Sequence, residues 1–245
     1  MGSVLTIYKK KGETPLQALS RLRKEKPELE KETLSYAGRL DPLAEGLMLV
    51  LIGDANKERE KYLGLDKTYV AEILFGVSTD THDLLGLVNE IKEASIDENK
   101  FSEVANTFLG KFSQKYPAFS SKTVGGVQLH ELSRSGEVVD IPEHEVFLNK
   151  FTVISQRKIT AKDVLKNALF SVDLVSGDFR QEEIKNKWKS SLKNKNIEFG
   201  LFEVELQVSS GFYVRQFAND LGEKLGVPAL AYSIKRTMVG GDQKE

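Results

Sequence analysis

The chain has 245 residues, 40% hydrophobic and 29% charged, with 35 Lys+Arg against 36 Asp+Glu. That balance describes a globular protein with enough chain for a sizeable core, rather than a nucleic-acid coat protein or a disordered tail. Cysteine is absent and there are only three histidines, His82, His130 and His144, which excludes disulfides and thiolate zinc sites and leaves no metal centre expected. No apolar run approaches the roughly 20 residues of a membrane span, and the N-terminus carries no secretory pattern. A cytoplasmic protein without a membrane partner is the expectation.

Ser3 to Lys9 reads as a strand, and Gly12 turns the chain. Thr14-Pro15-Leu16-Gln17 is a helix start with a cap, a proline at the first helical position and a capping box. Leu16, Leu19 and Leu22 are its expected buried stripe, and the helix ends near Pro27. Leu47 to Ile52 is a buried strand, followed by a short polar helix over residues 55–63. Residues 67–77 alternate as a strand with Tyr69, Ala71, Ile73 and Phe75 on one face. A polar turn, Ser78 to Asp83, follows and closes at Gly86.

Asp97 opens a helix carrying Phe101, Val104, Ala105 and Phe108, and an extended stretch over residues 112–122 leads to a helix stopped at Gly136. Residues 144–160 are a long strand or hairpin. Residues 161–200 have the weakest pattern, and the lysine-rich part around residues 176–200 is expected as a mobile insert. A strand over 201–208, an amphipathic helix over 213–225 and a final strand over 231–239 complete the chain. The helix presents Val214, Phe217, Ala218, Leu221 and Leu225 on one side. Without a steady βαβ rhythm, the order indicates an α+β fold with a mixed, largely antiparallel sheet in a single domain.

Four features could carry chemistry. Asp41 stands before Pro42, which holds it extended, between Gly38 and Gly46. It could be a nucleophile or base, although a turn aspartate capping its own backbone is the commoner outcome. Arg215 lies in the first turn of a helix, where the macrodipole disfavours a cation, so it either takes an anionic partner, a carboxylate or a phosphate, or faces solvent. Tyr69 opens a strand and could stack on a planar ligand or fill the core. The turn around Asp80 and Asp83 could hold a cation or satisfy its own backbone. Basic residues cluster at Lys9–Lys11, at Arg21–Lys26 and at Lys185–Lys195. Each reads as a solvated face, and together they leave room for an RNA groove. Phosphate-loop, dinucleotide, zinc-protease and serine-elbow motifs are absent.

Five blocks in order resemble the TruB family of tRNA pseudouridine synthases: IYKKKGETPLQALSRLRK, YAGRLDPLAEGLMLVLIGDANK, KTYVAEILFGVSTDTHDLLG, QKYPAFSSKTVGGVQLHELSRSG and SSGFYVRQFANDLGEKLGVPALAYSIKRTMVG. They span residues 4–136 and 203–240, and residues 141–202 match only weakly. The resemblance implies the pseudouridine synthase fold, a bent mixed sheet flanked by helices. It implies Asp41 as the catalytic aspartate, Tyr69 as the platform for a flipped base and Arg215 as the partner of Asp41. Asp83, Lys9 and Ile234 are implied at the substrate. RNA is the implied partner, with the T-loop uridine of tRNA as target, and the protein is expected as a monomer that uses no cofactor.

The chemistry so implied breaks the N1–C1′ bond of uridine, turns the uracil and rejoins it through C5. A carboxylate serves by adding to C1′ or by taking a sugar proton, the first resembling glycoside cleavage. Tyr36 stands where the family has a histidine, and Arg39 where it has a small residue, so these two are further substrate-contact candidates that bear on the choice of RNA. A catalytic domain without the family's C-terminal PUA-type domain is the expectation. The alternatives are a non-catalytic RNA-binding module of the same fold, a synthase for another RNA, or a carboxylate glycosidase using Asp83 as its second acid.

Overall fold

The computed structural model describes residues 2–136 and 139–240. In chain order the strands are β1 (Ser3–Lys9), β2 (Leu34–Ala37), β3 (Glu45–Ile52), β4 (Lys67–Phe75), β5 (Val77–Thr79), β6 (Val88–Ile91), β7 (Gly110–Lys115), β8 (Thr123–Val124), β9 (Val127–Gln128), β10 (Glu143–Thr160), β11 (Glu198–Val208) and β12 (Ala229–Val239). The helices are α1 (Pro15–Glu25), α2 (Arg59–Leu63), α3 (Glu98–Asn106), α4 (Leu129–Ser135), α5 (Ala161–Leu174), α6 (Gln181–Leu192) and α7 (Val214–Leu225).

Eight strands form the main sheet in the order β1-β3-β12-β4-β11-β10-β7, with β2 added beside β3. Every pairing in it is antiparallel except the short parallel contact of β12 with β3, so the expected α+β class holds. Alternation along the central strands splits the core between the two faces of the sheet. Tyr69, Ala71, Ile73 and Phe75 of β4 join Phe202, Val204 and Leu206 of β11, α3 and the full predicted stripe of α7 in one cluster. Phe75 meets Phe101 edge-on with ring centroids 5.7 Å apart, and Phe101 stacks on Phe202 at 4.1 Å. Leu74, Leu201 and Leu230 point the other way, into a cluster shared with α5 and α6.

The β3 strand determines where the chain can open a site. β1 pairs with it from Ser3 opposite Ile52 to Lys9 opposite Gly46. Its other side is divided: β2 pairs with residues 49–52 and β12 with Glu45 and Gly46. Residues 38–44 therefore leave the sheet as a loop between two pairings. Gly46 has φ +117°, and a Cβ there would stand 2.2 Å from the Arg236 carbonyl oxygen, so only glycine lets β3 meet β12.

Two expectations need correction. The capping box of α1 is present, with Gln17 N donating to Thr14 Oγ1 and Thr14 N donating to Gln17 Oε1, but the buried face is Pro15, Ala18, Leu19 and Leu22. Leu16 is 67% exposed, because it lies about 100° around the helix from Pro15. Residues 176–200, expected as a mobile insert, hold α6, whose Ile184, Trp188 and Leu192 are buried at helical spacing against α5 and the sheet. Of the lysines that made this stretch look loose, Lys185, Lys187 and Lys189 lie on α6 away from its buried face, and Lys193 and Lys195 lie in the turn after it.

Trp188 is the only tryptophan and is fully buried. Its fluorescence should be blue-shifted in the native protein and move to the red in urea. Trp188→Ala should cost about 3–5 kcal/mol in urea denaturation. Native emission like that of free tryptophan would contradict the packing of α6.

Candidate active site

A cleft of about 680 Å³ opens above the β3–β12–β4 junction. Asp41, Tyr69, Asp83, Arg215, Tyr36, Arg39 and Ile234 all line it. Its centre is the Arg215 guanidinium, 3% exposed in the first turn of α7. Nε donates to Asp41 Oδ2 at 2.7 Å and lies 3.7 Å from Asp83 Oδ2. Nη1 donates to the Thr81 carbonyl at 2.6 Å and Nη2 to the Phe119 carbonyl at 3.3 Å. The anion that a cation at a helix N-terminus requires is thus supplied twice. Burial alone would lower the Arg215 pKa, but Asp41 and then Asp83 outweigh it, so the pKa is raised and the cation is secure.

Asp83 is held differently from Asp41. Its Oδ1 accepts from Thr81 Oγ1 at 2.6 Å and from Leu85 N at 2.9 Å. Its backbone bridges to Ala231 beside β12. Burial raises its pKa, against the pull of Arg215. Asp41 is 31% exposed, and its Oδ1 has no hydrogen-bond partner among the described residues. Of the two carboxylates, Asp41 is the one with an oxygen available to the cleft.

The Asp41 loop is clamped at both ends by buried cations. Arg236, on β12, donates Nε to the Leu47 carbonyl at 2.6 Å and Nη2 to the Gly38 carbonyl at 2.9 Å. Lys9, on β1, donates Nζ to the Ala44 carbonyl at 2.6 Å and the Pro42 carbonyl at 3.2 Å. Burial pulls the Lys9 ammonium down to about 8, opposed by Asp41. Lys9 thus stands at the active loop, buried beneath it, and does not line the cleft where a substrate contact was expected. Ala44 N closes the loop on the Asp41 carbonyl at 3.1 Å. Lys67 does similar work below α2, donating Nζ to the Leu63 carbonyl at 2.8 Å and also to that of Leu65.

Tyr69 stands opposite Arg236 in the β4–β12 register, and Ile234 is two residues back on the same face. At the rim, Arg39 Nη2 donates to the Tyr36 hydroxyl at 3.1 Å. The far wall was not anticipated from the sequence. Arg180, in the α5–α6 link, has φ +60°. It donates Nη1 to Asp80 Oδ2 at 2.8 Å and lies 4.5 Å from the centre of the Phe119 ring. Arg134 Nη2 donates to the Asp178 carbonyl at 2.5 Å. Arg236 had a sequence signal, since it shares a face with Ile234 and an inward arginine must find acceptors. Arg180 had none, being 100 residues from Asp80.

Residues 26–179 match the family described as TruB family pseudouridylate synthase, N-terminal domain. The chain belongs to the TruB family. It is 30% identical over 239 residues to tRNA pseudouridine synthase B of Aquifex aeolicus, covering 98% of this chain and 69% of that one. It is 30% identical to the protein of the same name from Thermosipho melanesiensis, covering 98% of this chain and 64% of that one. The chain thus spans about two thirds of the length of these TruB relatives. A Cbf5–Nop10–Gar1 complex contains a similar chain, with TM-score 0.57, 18% identity and coverage of 99% of this chain and 50% of that one. An H/ACA RNP bound to a substrate RNA contains another, with TM-score 0.56 and 16% identity over 99% of this chain and 49% of that one. At those identities the likeness is one of fold.

His82 tests the turn that serves Arg215. It has φ +60°, and burial, followed by the nearby Arg215 charge, holds its pKa down at about 4. An unfolded histidine titrates near 6.5. The unfolded chain therefore takes up the proton first, and this stability is present above about pH 6.5 and lost as pH falls towards 4. His82→Asn, which tolerates the same backbone, should lose less stability than wild type between pH 7 and 5 in urea titrations. Equal losses would show that His82 does not titrate in this way.

Proposed function

We propose that this chain isomerises uridine to pseudouridine in tRNA, at the T-loop uridine, with Asp41 as the catalytic carboxylate. The observation that carries the reading is the Asp41–Arg215 pair: a 2.7 Å contact that holds one carboxylate oxygen and leaves the other to the cleft. The block around Asp41 lies within residues 26–179, which match the family, and the block around Arg215 resembles the family's pattern in sequence.

The reaction needs no net change in atoms. The N1–C1′ bond breaks, the uracil turns, C5 bonds to C1′, the C5 proton leaves and N1 gains one. Arg215 aims Asp41 and balances its charge in a site where burial strengthens electrostatics. From this position the free oxygen can add to C1′ or take a sugar proton. Tyr69 supplies the face for a base that has left its stack, and Ile234 supplies apolar wall. Asp83 is close enough to the guanidinium to share it and offers a buried hydrogen-bonding edge to the base. Arg39, braced by Tyr36 at the rim, suits a phosphate of the incoming strand. That rim pair stands where the family pattern has a histidine and a small residue, which favours, as a second reading, a uridine in another RNA.

Tritium release from C5-labelled tRNA transcript measures the reaction directly. Wild-type protein should release tritium, and Asp41→Asn, which removes the charge with little change in size, should fall to the rate without enzyme. Tyr69→Ala should lose about 1–3 kcal/mol of substrate binding through the missing stack. Full activity of Asp41→Asn would overturn the assignment, and no release by wild type from tRNA or ribosomal RNA would overturn the function.

A further inference from the structure

The α5–α6 hairpin contributes more than a wall to the cleft. Its connecting loop brings Asp178, Phe179 and Arg180 to the cleft lining, and the loop is tied down from several sides. Gln17 Nε2 donates to Ser176 Oγ at 2.6 Å, Arg134 reaches the Asp178 carbonyl, and Arg180 reaches Asp80. Gln181 Nε2 donates to the Val175 and Gly177 carbonyls at 3.0 and 2.7 Å, so the loop has its own internal brace. From this fixed point α6 runs for twelve residues, about 18 Å at 1.5 Å per residue.

The outer surface of α6 has one sign of charge over its later turns. Between Ile184 and Ile197 the chain has five lysines and no Asp or Glu. Lys185 is paired with Asp173 at 3.0 Å and with Glu182 at 2.5 Å. Lys187, Lys189, Lys193 and Lys195 are exposed, and none has an ion-pair partner among the described residues. The exposed Glu182 and Glu183 are confined to the first turn, next to the cleft. The positive field therefore begins one to two turns out from the cleft and strengthens along the helix, on a scaffold fixed by buried Ile184, Trp188 and Leu192.

We propose that α6 and the turn that follows it form an RNA-docking arm, in which Lys187 and Lys189 on the helix and Lys193 and Lys195 just beyond it engage backbone phosphates of the same RNA that places a nucleotide in the cleft. The occupant follows from charge complementarity and from continuity with the cleft. A set of unpaired ammonium groups flanking a packed helix and its C-terminal turn matches a phosphate chain and carries no sequence preference. The inference rests on RNA as the substrate, and its test reads binding separately from turnover.

The experiment is fluorescence anisotropy of an unmodified, end-labelled tRNA transcript titrated with wild type and with the triple variant Lys187→Glu, Lys189→Glu, Lys193→Glu, at several salt concentrations. Trp188 emission, read on each protein, reports whether α6 is still packed. The triple variant should bind at least about tenfold more weakly at 0.1 M salt, with a log Kd against log salt slope reduced by about 2 to 3. In turnover it should raise KM and leave kcat near wild type. The matching Lys→Arg triple variant should restore affinity, and Lys100→Glu with Lys111→Glu, outside the cleft lining, should change little. Unchanged affinity and salt slope in the glutamate variant would overturn the arm while leaving a turnover-competent wild type intact. Weakened binding in the variant, with a wild type that binds but never turns over, would support the arm and count against the proposed reaction. No binding of tRNA by wild type would overturn both.

Discussion

A buried guanidinium has to be surrounded by acceptors, and much of the cleft is the consequence of burying Arg215. Its four partners come from three places in the chain: Asp41 from the β2–β3 loop, Thr81 and Asp83 from the turn after β5, and Phe119 from the segment after β7. Each must be brought within reach before α7 can seat its N-terminus. Removing Arg215 would leave the buried Asp83 without its cation, a loss of the kind that typically costs about 3–5 kcal/mol. The site is therefore coupled to the packing of α7 against the sheet.

The geometry around Asp41 shows how a loop can be as well fixed as a strand. The loop exists because β3 changes neighbours from β2 to β12 and the intervening residues have no ladder to join. Its carbonyls are satisfied by Lys9 at one end and Arg236 at the other, each on a different strand of the sheet. The Asp41 carboxylate is left for Arg215 and the cleft. A nucleophile or base held this way loses little conformational entropy when substrate arrives.

What could be read from the sequence was local. The alternation of β4, the capping box of α1 and the stripe of α7 are all short-range patterns, and the structure contains each of them. Arg215 was legible in part, because its position at a helix start called for an anion. Arg236 and Arg180 were missed because their partners lie 189 to 198 and 100 residues away. Ile184, Trp188 and Leu192 did carry a helical spacing, but the dense lysines between them suggested a loose segment. Leu16 failed in the opposite sense, since a leucine three residues before a buried one need not share its face when the buried arc is centred on Pro15 and Ala18.

The central claim is that Asp41 and Arg215 act as one unit. A double-mutant cycle of Asp41→Asn and Arg215→Met, read on single-turnover pseudouridine formation with each protein's fold checked by Trp188 emission, tests it most directly. If the pair is a unit, the double variant should be scarcely slower than the worse single variant. Losses that multiply, so that the double variant falls by the product of the two single effects, would contradict the account.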